Sequence, residues 1–173
     1  MASGKPVWLD GPIAGVPALL QPVAHALLEA AEDVQAVLPT LSVEALWARP
    51  ANVASVGFHV KHAMGSLDRL FTYARGESLS GPQLATLAAE KTLDGTAGTG
   101  GGQLAAEFAA AVDRAIEQLK ATSEHELLEP REVGRAKLPS NVLGLLAHAG
   151  DHTYRHVGQL ITTAKLALGR QGT

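Results

Sequence analysis

The chain lacks cysteine and has few aromatic residues, which make up 4% of its 173 residues. Without cysteine the protein can form no disulfide, and no thiolate of its own can act as a nucleophile or bind a metal ion. A bound metal would therefore need histidine and carboxylate ligands. Any thiol that takes part in the chemistry would have to come from a substrate.

The sequence also lacks a block of basic residues and a long hydrophobic run. Its formal net charge is −3, which argues against nucleic acid as the main partner. No apolar run approaches the roughly 20 residues that a membrane-spanning helix needs, and the first residues do not resemble a secretion signal. We therefore expect a soluble cytoplasmic protein that acts on a small molecule, with no nucleic-acid and no membrane partner.

Runs of β-branched residues are absent, whereas alanine and leucine are abundant, so the composition favours packed helices over sheet. Apolar residues at intervals of three and four predict four long helices. These helices are expected at Val16–Leu38, from a cap at Ser55 to Gly76, at Gln103–Thr122, and from Asn141 to Leu168 after a cap at Ser140. The sequence therefore predicts an all-α protein, a four-helix bundle that forms a single domain over residues 1–173.

The segments between these helices are less regular. A short helical turn is expected after Ser42, and a short helix at Leu84–Lys91. The run DGTAGTGGG at 94–102 reads as a flexible linker rather than a phosphate-binding loop, because no Gly-Lys-Ser/Thr follows it. Such a linker allows a long crossover between helices two and three. The stretch Ser123–Pro139 is predicted to be a charged connector.

Three histidines recur on the last helix, in the stretch LLAHAGDHTYRHVGQL at 145–160. His148, His152 and His156 are four residues apart, and each step of four turns a helix by about 40° and climbs about 6 Å. Two imidazoles at this spacing are a usual pair of ligands for one metal ion. His148 and His156 are about 12 Å apart along the axis, so the pair is 148/152 or 152/156. We favour His152 and His156, with Gln159 nearby as a partner of a ligand or a substrate contact.

The second helix offers a third ligand. His59 and His62 are about 60° apart on it, and either one could supply a nitrogen, but His62 adjoins the apolar stripe and can face the interior. A set of His62, His152 and His156 gives three nitrogen ligands and leaves coordination positions open, as expected of a catalytic site. The alternative is a group of histidines that hydrogen-bond at a helix interface without a metal.

The segments HVKHAMGSLDRLFTYARGE and LLAHAGDHTYRHVGQLITTAK resemble the DinB/YfiT superfamily of metal-dependent enzymes. The most specific part is His152-x-x-x-His156-x-Gly158-Gln159 joined to the upstream His62, and the likeness runs from about Leu41 to Leu168. The resemblance implies a four-helix bundle with a long crossover. It also implies a divalent metal, often nickel or zinc, bound by His62, His152 and His156. The roles of His59 and His148 stay open.

Relatives of this kind include transferases and isomerases that use low-molecular-weight thiols. The resemblance therefore implies a small-thiol-dependent S-transferase, in which the metal lowers the pKa of a bound thiol. The alternatives are a metal-dependent hydrolase and a non-catalytic metal-binding bundle. Asp68 could orient a ligand imidazole, and Arg69 or Arg155 could hold a substrate carboxylate, although ordinary surface ion pairs are the simpler expectation for Asp68 and Arg69. Because bundles of this type often pair, we also expect a homodimer.

Overall fold

The structure, a computed structural model, describes residues 5–90 and 99–169. Its α-helices are α1 (Gln21–Val37), α2 (Val43–Trp47), α3 (Val56–Ala74), α4 (Gly81–Ala89), α5 (Gly101–Ala121) and α6 (Val142–Gly169). Two strands, β1 (Pro130–Val133) and β2 (Leu138–Asn141), form an antiparallel hairpin between α5 and α6. The predicted all-α class is thus confirmed, apart from this small hairpin. Within the described residues, no helix combines the length and hydrophobicity needed to cross a membrane.

The four long helices surround one hydrophobic core. Helix α6 packs against α1 and α3, and α5 packs against the same two helices. Fully buried side chains include Leu27 of α1, Leu67 of α3, Phe108 of α5 and Leu160 of α6. Burial of each such side chain contributes about 1.5–3 kcal/mol. The core therefore holds α3 directly beside α6, and these are the two helices that carry the candidate ligands.

The starts of α2 and α3 and the end of α3 follow from the residues at these positions, as predicted. The Oγ atom of Ser42 accepts a hydrogen bond from the Ala45 backbone N–H at 3.1 Å, and Ser55 Oγ accepts one from Phe58 at 3.1 Å. Each hydroxyl satisfies an N–H that has no partner within its helix. Gly76 has a φ of 76° just after α3, a conformation that favours glycine at a helix end.

Two long helices begin later than their apolar patterns suggest. Helix α1 begins at Gln21, after a short 3₁₀ turn, and Pro22 lies in its first turn, where the missing N–H costs nothing. Of the two effects that the sequence allows for Pro22, a delayed start or a kink, the structure thus has the delayed start. At α6, the predicted cap was Ser140, but Ser140 lies in β2. The Oδ1 atom of Asn141 instead accepts from the Gly144 backbone N–H at 2.7 Å.

The predicted charged connector, Ser123–Pro139, contains β1 and the turn of the hairpin, and β2 continues beyond it to Asn141, so the prediction missed a small sheet. Its turn has positive φ angles at Gly134 (68°) and Lys137 (49°). A two-stranded hairpin is marginal by itself in water. This one is held against α3, because Arg131 Nε donates to the Ala74 carbonyl at 2.8 Å and Val133 packs on the core.

The crossover between α3 and α5 is partly regular. Helix α4 begins after Ser80, earlier than the predicted Leu84, because Ser80 and Gln83 form a capping box. The predicted linker at 94–102 lies outside the described residues as far as residue 98, and its last two glycines belong to α5. A Cβ at Gly101 would lie 1.9 Å from the Leu38 carbonyl oxygen, whereas one at Gly102 would have no neighbour within 4 Å. The absence of a side chain at 101 thus lets α5 begin against the end of α1.

These adjacent glycines make a matched test of that close approach. We expect Gly101→Ala to lower the free energy of unfolding by about 3 kcal/mol, because the backbone of Leu38 must move to admit the methyl group. Gly102→Ala should leave stability unchanged or raise it by up to about 1 kcal/mol, since alanine favours helix. Denaturant unfolding of the two variants measures both values, and equal effects would contradict the close packing at Gly101.

Candidate metal centre

The structure brings together the three histidines predicted to bind a metal. One nitrogen of each of His62, His152 and His156 lies within 4.8 Å of the other two. The Nε2 atoms of His62 and His152 are 3.1 Å apart. The ring centroid of His156 is 4.5 Å from that of His62 and 4.5 Å from that of His152. Imidazoles from α3 and α6 therefore converge on one point.

The chemistry and spacing of these nitrogens fit a divalent transition-metal ion. Metal–nitrogen distances of 2.0–2.1 Å place two nitrogens of a tetrahedral site about 3.3 Å apart, close to the separation of the His62 and His152 Nε2 atoms. In the part of the chain that the structure describes, no carboxylate completes the group. Three imidazoles suit nickel or zinc, and they leave at least one coordination position for another molecule.

Burial keeps several of these imidazoles neutral. It lowers the pKa of His156 to about 4, with the nearby charge of His62 as the next cause. Burial likewise lowers the pKa of His152 and of His59, again with His62 as the second cause. A metal binds only the unprotonated nitrogen. At neutral pH these side chains therefore do not need to lose a proton before a metal binds.

His62 is held by the buried carboxylate of Glu90, a contact that was not predicted from the sequence. The Nδ1 atom of His62 lies 2.8 Å from Oε2 of Glu90, which is only 8% exposed. Arg69 donates to the same carboxylate, from Nη1 to Oε1 at 2.6 Å and from Nη2 to Oε2 at 3.4 Å. The ring of Phe58 stacks on His62, with 5.5 Å between centroids and 6° between planes. Glu90 at the ring edge and Phe58 on the ring face thus together fix the orientation of the His62 imidazole.

Asp68, which the sequence allowed as a residue that could orient a ligand, does not do so, because its Oδ2 atom accepts from Gln83 Nε2 at 2.7 Å. Arg69 is buried rather than part of a surface ion pair. Gly65 is the sequence feature that could have pointed to this contact, because a glycine within a helix leaves room for another group to approach the backbone. A Cβ there would lie 2.5 Å from Glu90 Oε1.

The other two histidines of this region have different positions. His148 is exposed, and its ring centroid is 5.4 Å from that of His152. It lies outside the group of three, so the favoured pair of His152 and His156 is the one that meets His62. His59 is buried, with 7% of its surface exposed, and its Nδ1 atom is 3.0 Å from Nδ1 of His156. His59 therefore contacts a predicted ligand without joining the group.

An open cavity of about 640 Å³ lies next to His59. Both polar and apolar side chains line it, and they come from the segment before α3, from the start of α3 and from α6: Val53, Ala54, His59, Arg155, Gly158, Gln159, Thr162, Thr163 and Leu166. Arg155 is exposed and pairs with Asp151 one turn earlier. Gln159 also lines this cavity. The cavity thus joins the histidine cluster to solvent-accessible polar groups.

Comparisons with known proteins agree with this architecture. The sequence profile of the DinB superfamily matches residues 26–160, a range that includes all three converging histidines. The crystal structure of a conserved protein from Enterococcus faecalis superposes with a TM-score of 0.66 at 21% identity, covering 87% of this chain and 97% of that one. At this identity the likeness concerns the fold alone. No curated protein matches the sequence. Because the profile covers most of the chain, the protein belongs to the DinB superfamily.

Proposed function

We propose that His62, His152 and His156 bind one divalent metal ion, nickel or zinc, in a small-thiol-dependent S-transferase. The observation that carries the proposal is the convergence of three imidazole nitrogens within 4.8 Å of one another. A metal ion held there supplies a Lewis acid that lowers the pKa of a thiol bound to it. The open coordination positions and the adjacent cavity suit an enzyme better than a purely structural site.

The cavity beside His59 is suited to both substrates of a thiol transfer. Its volume, about 640 Å³, falls within the range of small-molecule pockets. Arg155 offers a cation to an anionic group such as the carboxylate of a low-molecular-weight thiol. Gln159 and Thr162 offer hydrogen bonds, while Val53 and Leu166 offer apolar surface to an electrophile.

Hydrolysis is the second candidate, and the carboxylates near the cluster support it less well. A hydrolase needs a carboxylate that is free to take a proton from the attacking water. Both oxygens of Glu90 are engaged by Arg69 and His62. Glu90 also contacts the Nδ1 side of the His62 ring, whereas the Nε2 side faces His152 and the proposed metal, so Glu90 lies away from the position of a metal-bound water. A non-catalytic bundle is the third candidate, and it predicts either a filled coordination shell or no bound metal.

We propose that α1, α3, α5 and α6 form a four-helix bundle with a long crossover between α3 and α5, and that this bundle is a single domain over residues 1–173.

We further propose that the protein is a cytoplasmic homodimer. Trp8 is 59% exposed and lies with Tyr154 at a second cavity of about 650 Å³, an aromatic surface that a second copy would cover. Sedimentation velocity tests the dimer, and a purely monomeric protein would exclude it.

Metal content tests the ligand set. Protein prepared without a histidine tag, loaded with Ni²⁺ or Zn²⁺ and dialysed, should keep about one ion per chain. His152→Ala and His156→Ala should each lower metal affinity more than tenfold, because each removes a ligand nitrogen. His148→Ala is the matched control, since it removes a histidine from the same helix outside the group, and it should retain the metal. Equal metal content in wild type and His156→Ala would exclude the site.

Thiol consumption tests the reaction. Metal-loaded protein, offered several small thiols with a generic electrophile, should consume at least one thiol faster than buffer, the metal-free protein or His156→Ala. We expect Arg155→Ala to raise KM for an anionic thiol about tenfold, the size expected for a lost charge-assisted hydrogen bond, with little effect on a neutral thiol. No rate above buffer for any thiol would contradict the transferase, and metal-dependent hydrolysis of an ester would favour the second candidate.

A further inference from the structure

Helix α4 is docked on α3 by polar contacts rather than by a hydrophobic face. None of its nine residues, all of which the structure describes, is buried, and Leu84 and Leu87 are exposed. At its N-terminal end, Gln83 Nε2 donates to Asp68 Oδ2 at 2.7 Å and to Thr72 Oγ1 at 2.8 Å. At its C-terminal end, the residue that reaches α3 is Glu90, the C-cap of α4. The position of this crossover helix therefore depends on a few hydrogen bonds.

Glu90 occupies a site that is shaped for a carboxylate. A buried carboxylate is costly unless hydrogen bonds and an opposite charge compensate for the lost water. Arg69, itself buried, supplies both, with Nη1 only 2.6 Å from Oε1. Gly65 provides the space, since a Cβ there would lie 2.5 Å from Glu90 Oε1 and 2.8 Å from Arg69 Nη1. Three residues of the chain thus combine to hold one carboxylate at this point of α3.

The second oxygen of this carboxylate determines how His62 presents its nitrogens. Oε2 lies 2.8 Å from His62 Nδ1, and an ionised carboxylate can only accept a hydrogen bond. The proton of the neutral ring is therefore on Nδ1. The lone pair is then on Nε2, the atom 3.1 Å from His152 Nε2. Outer partners of this kind orient metal-binding histidines and typically change metal affinity by about 10- to 100-fold.

We propose that Glu90 is the positioning residue for His62, and that through it metal binding is coupled to the docking of segment 81–90 on α3. This inference rests on the proposed metal site. Glu90 belongs to α4 and His62 to α3, so the hydrogen bond that prepares His62 Nε2 forms only when α4 is docked. Coupling of two equilibria is reciprocal. A metal ion bound at His62 therefore stabilises the docked position of α4 by the same factor by which docking strengthens metal binding.

Titration with Co²⁺ tests the role of Glu90, because its visible spectrum reports the ligand geometry as well as the affinity. Glu90→Gln should weaken binding by about 10- to 100-fold and change the visible spectrum of the bound ion. Glu77→Gln, which makes the same change at an exposed residue that pairs with Arg75, should match wild type. Gly65→Ala displaces the carboxylate without removing its charge, and it should also weaken binding even if Glu90→Gln does not fold.

Hydrogen exchange tests the coupling in the same proteins. Amides of segment 81–90 should exchange more slowly in wild type after Co²⁺ is added, and the metal should have no such effect in Glu90→Gln. Wild-type affinity and spectrum in both Glu90→Gln and Gly65→Ala would overturn the positioning role, and unchanged exchange in metal-bound wild type would overturn the coupling. A wild type that binds no Co²⁺ would instead overturn the metal site itself, so the two failures are distinguishable.

Discussion

Helices α3 and α6 meet through imidazole rings along the stretch where His59 and His62 face His152 and His156. Packed helices usually bury apolar side chains at such a contact, and polar rings there lower stability unless their nitrogens find partners. Here most of the partners are other histidines, with contacts of 3.0 Å and 3.1 Å between nitrogens. A hydrogen bond between two neutral rings needs a proton on one nitrogen and a lone pair on the other. A metal ion could take the place of that proton, because both rings would then offer it a lone pair.

The surroundings of the cluster disfavour protonation of its imidazoles. Burial and mutual repulsion lower the pKa of His59, His152 and His156, because several imidazolium ions at such distances would repel one another. A divalent ion held by His62, His152 and His156 would avoid this conflict, because one charge at a single point would replace several imidazolium ions. Glu90 contributes a negative charge in contact with the cluster, and Arg69 balances it. The cluster therefore offers neutral nitrogens together with an oriented His62, which suits the binding of a divalent cation.

Features that depend on neighbours in sequence were predicted well. The long helices follow from apolar periodicity, and the caps at Ser42 and Ser55 follow from a hydroxyl placed just before a helix. The hairpin was missed because its strands are short and half of their residues are exposed, so their apolar pattern is weak. Its stability comes from contacts with distant parts of the chain, through Arg131 and Val133. The cap of α6 was placed one residue too early, because Ser140 and Asn141 are both suitable caps in sequence and only the fold brings Asn141 Oδ1 to the Gly144 N–H.

The sequence by itself determined which side chains α3 and α6 could offer, since the spacing of four residues puts His152 and His156 on one helical face whatever surrounds it. Only the tertiary structure decided that His62 rather than His59 completes the group, because that depends on how two helices far apart in the chain are packed. The tertiary structure also decided that the carboxylate on His62 is Glu90. That residue is 28 positions away from His62, and no local periodicity relates them. Their contact depends on the docking of α4 and on the room left at Gly65.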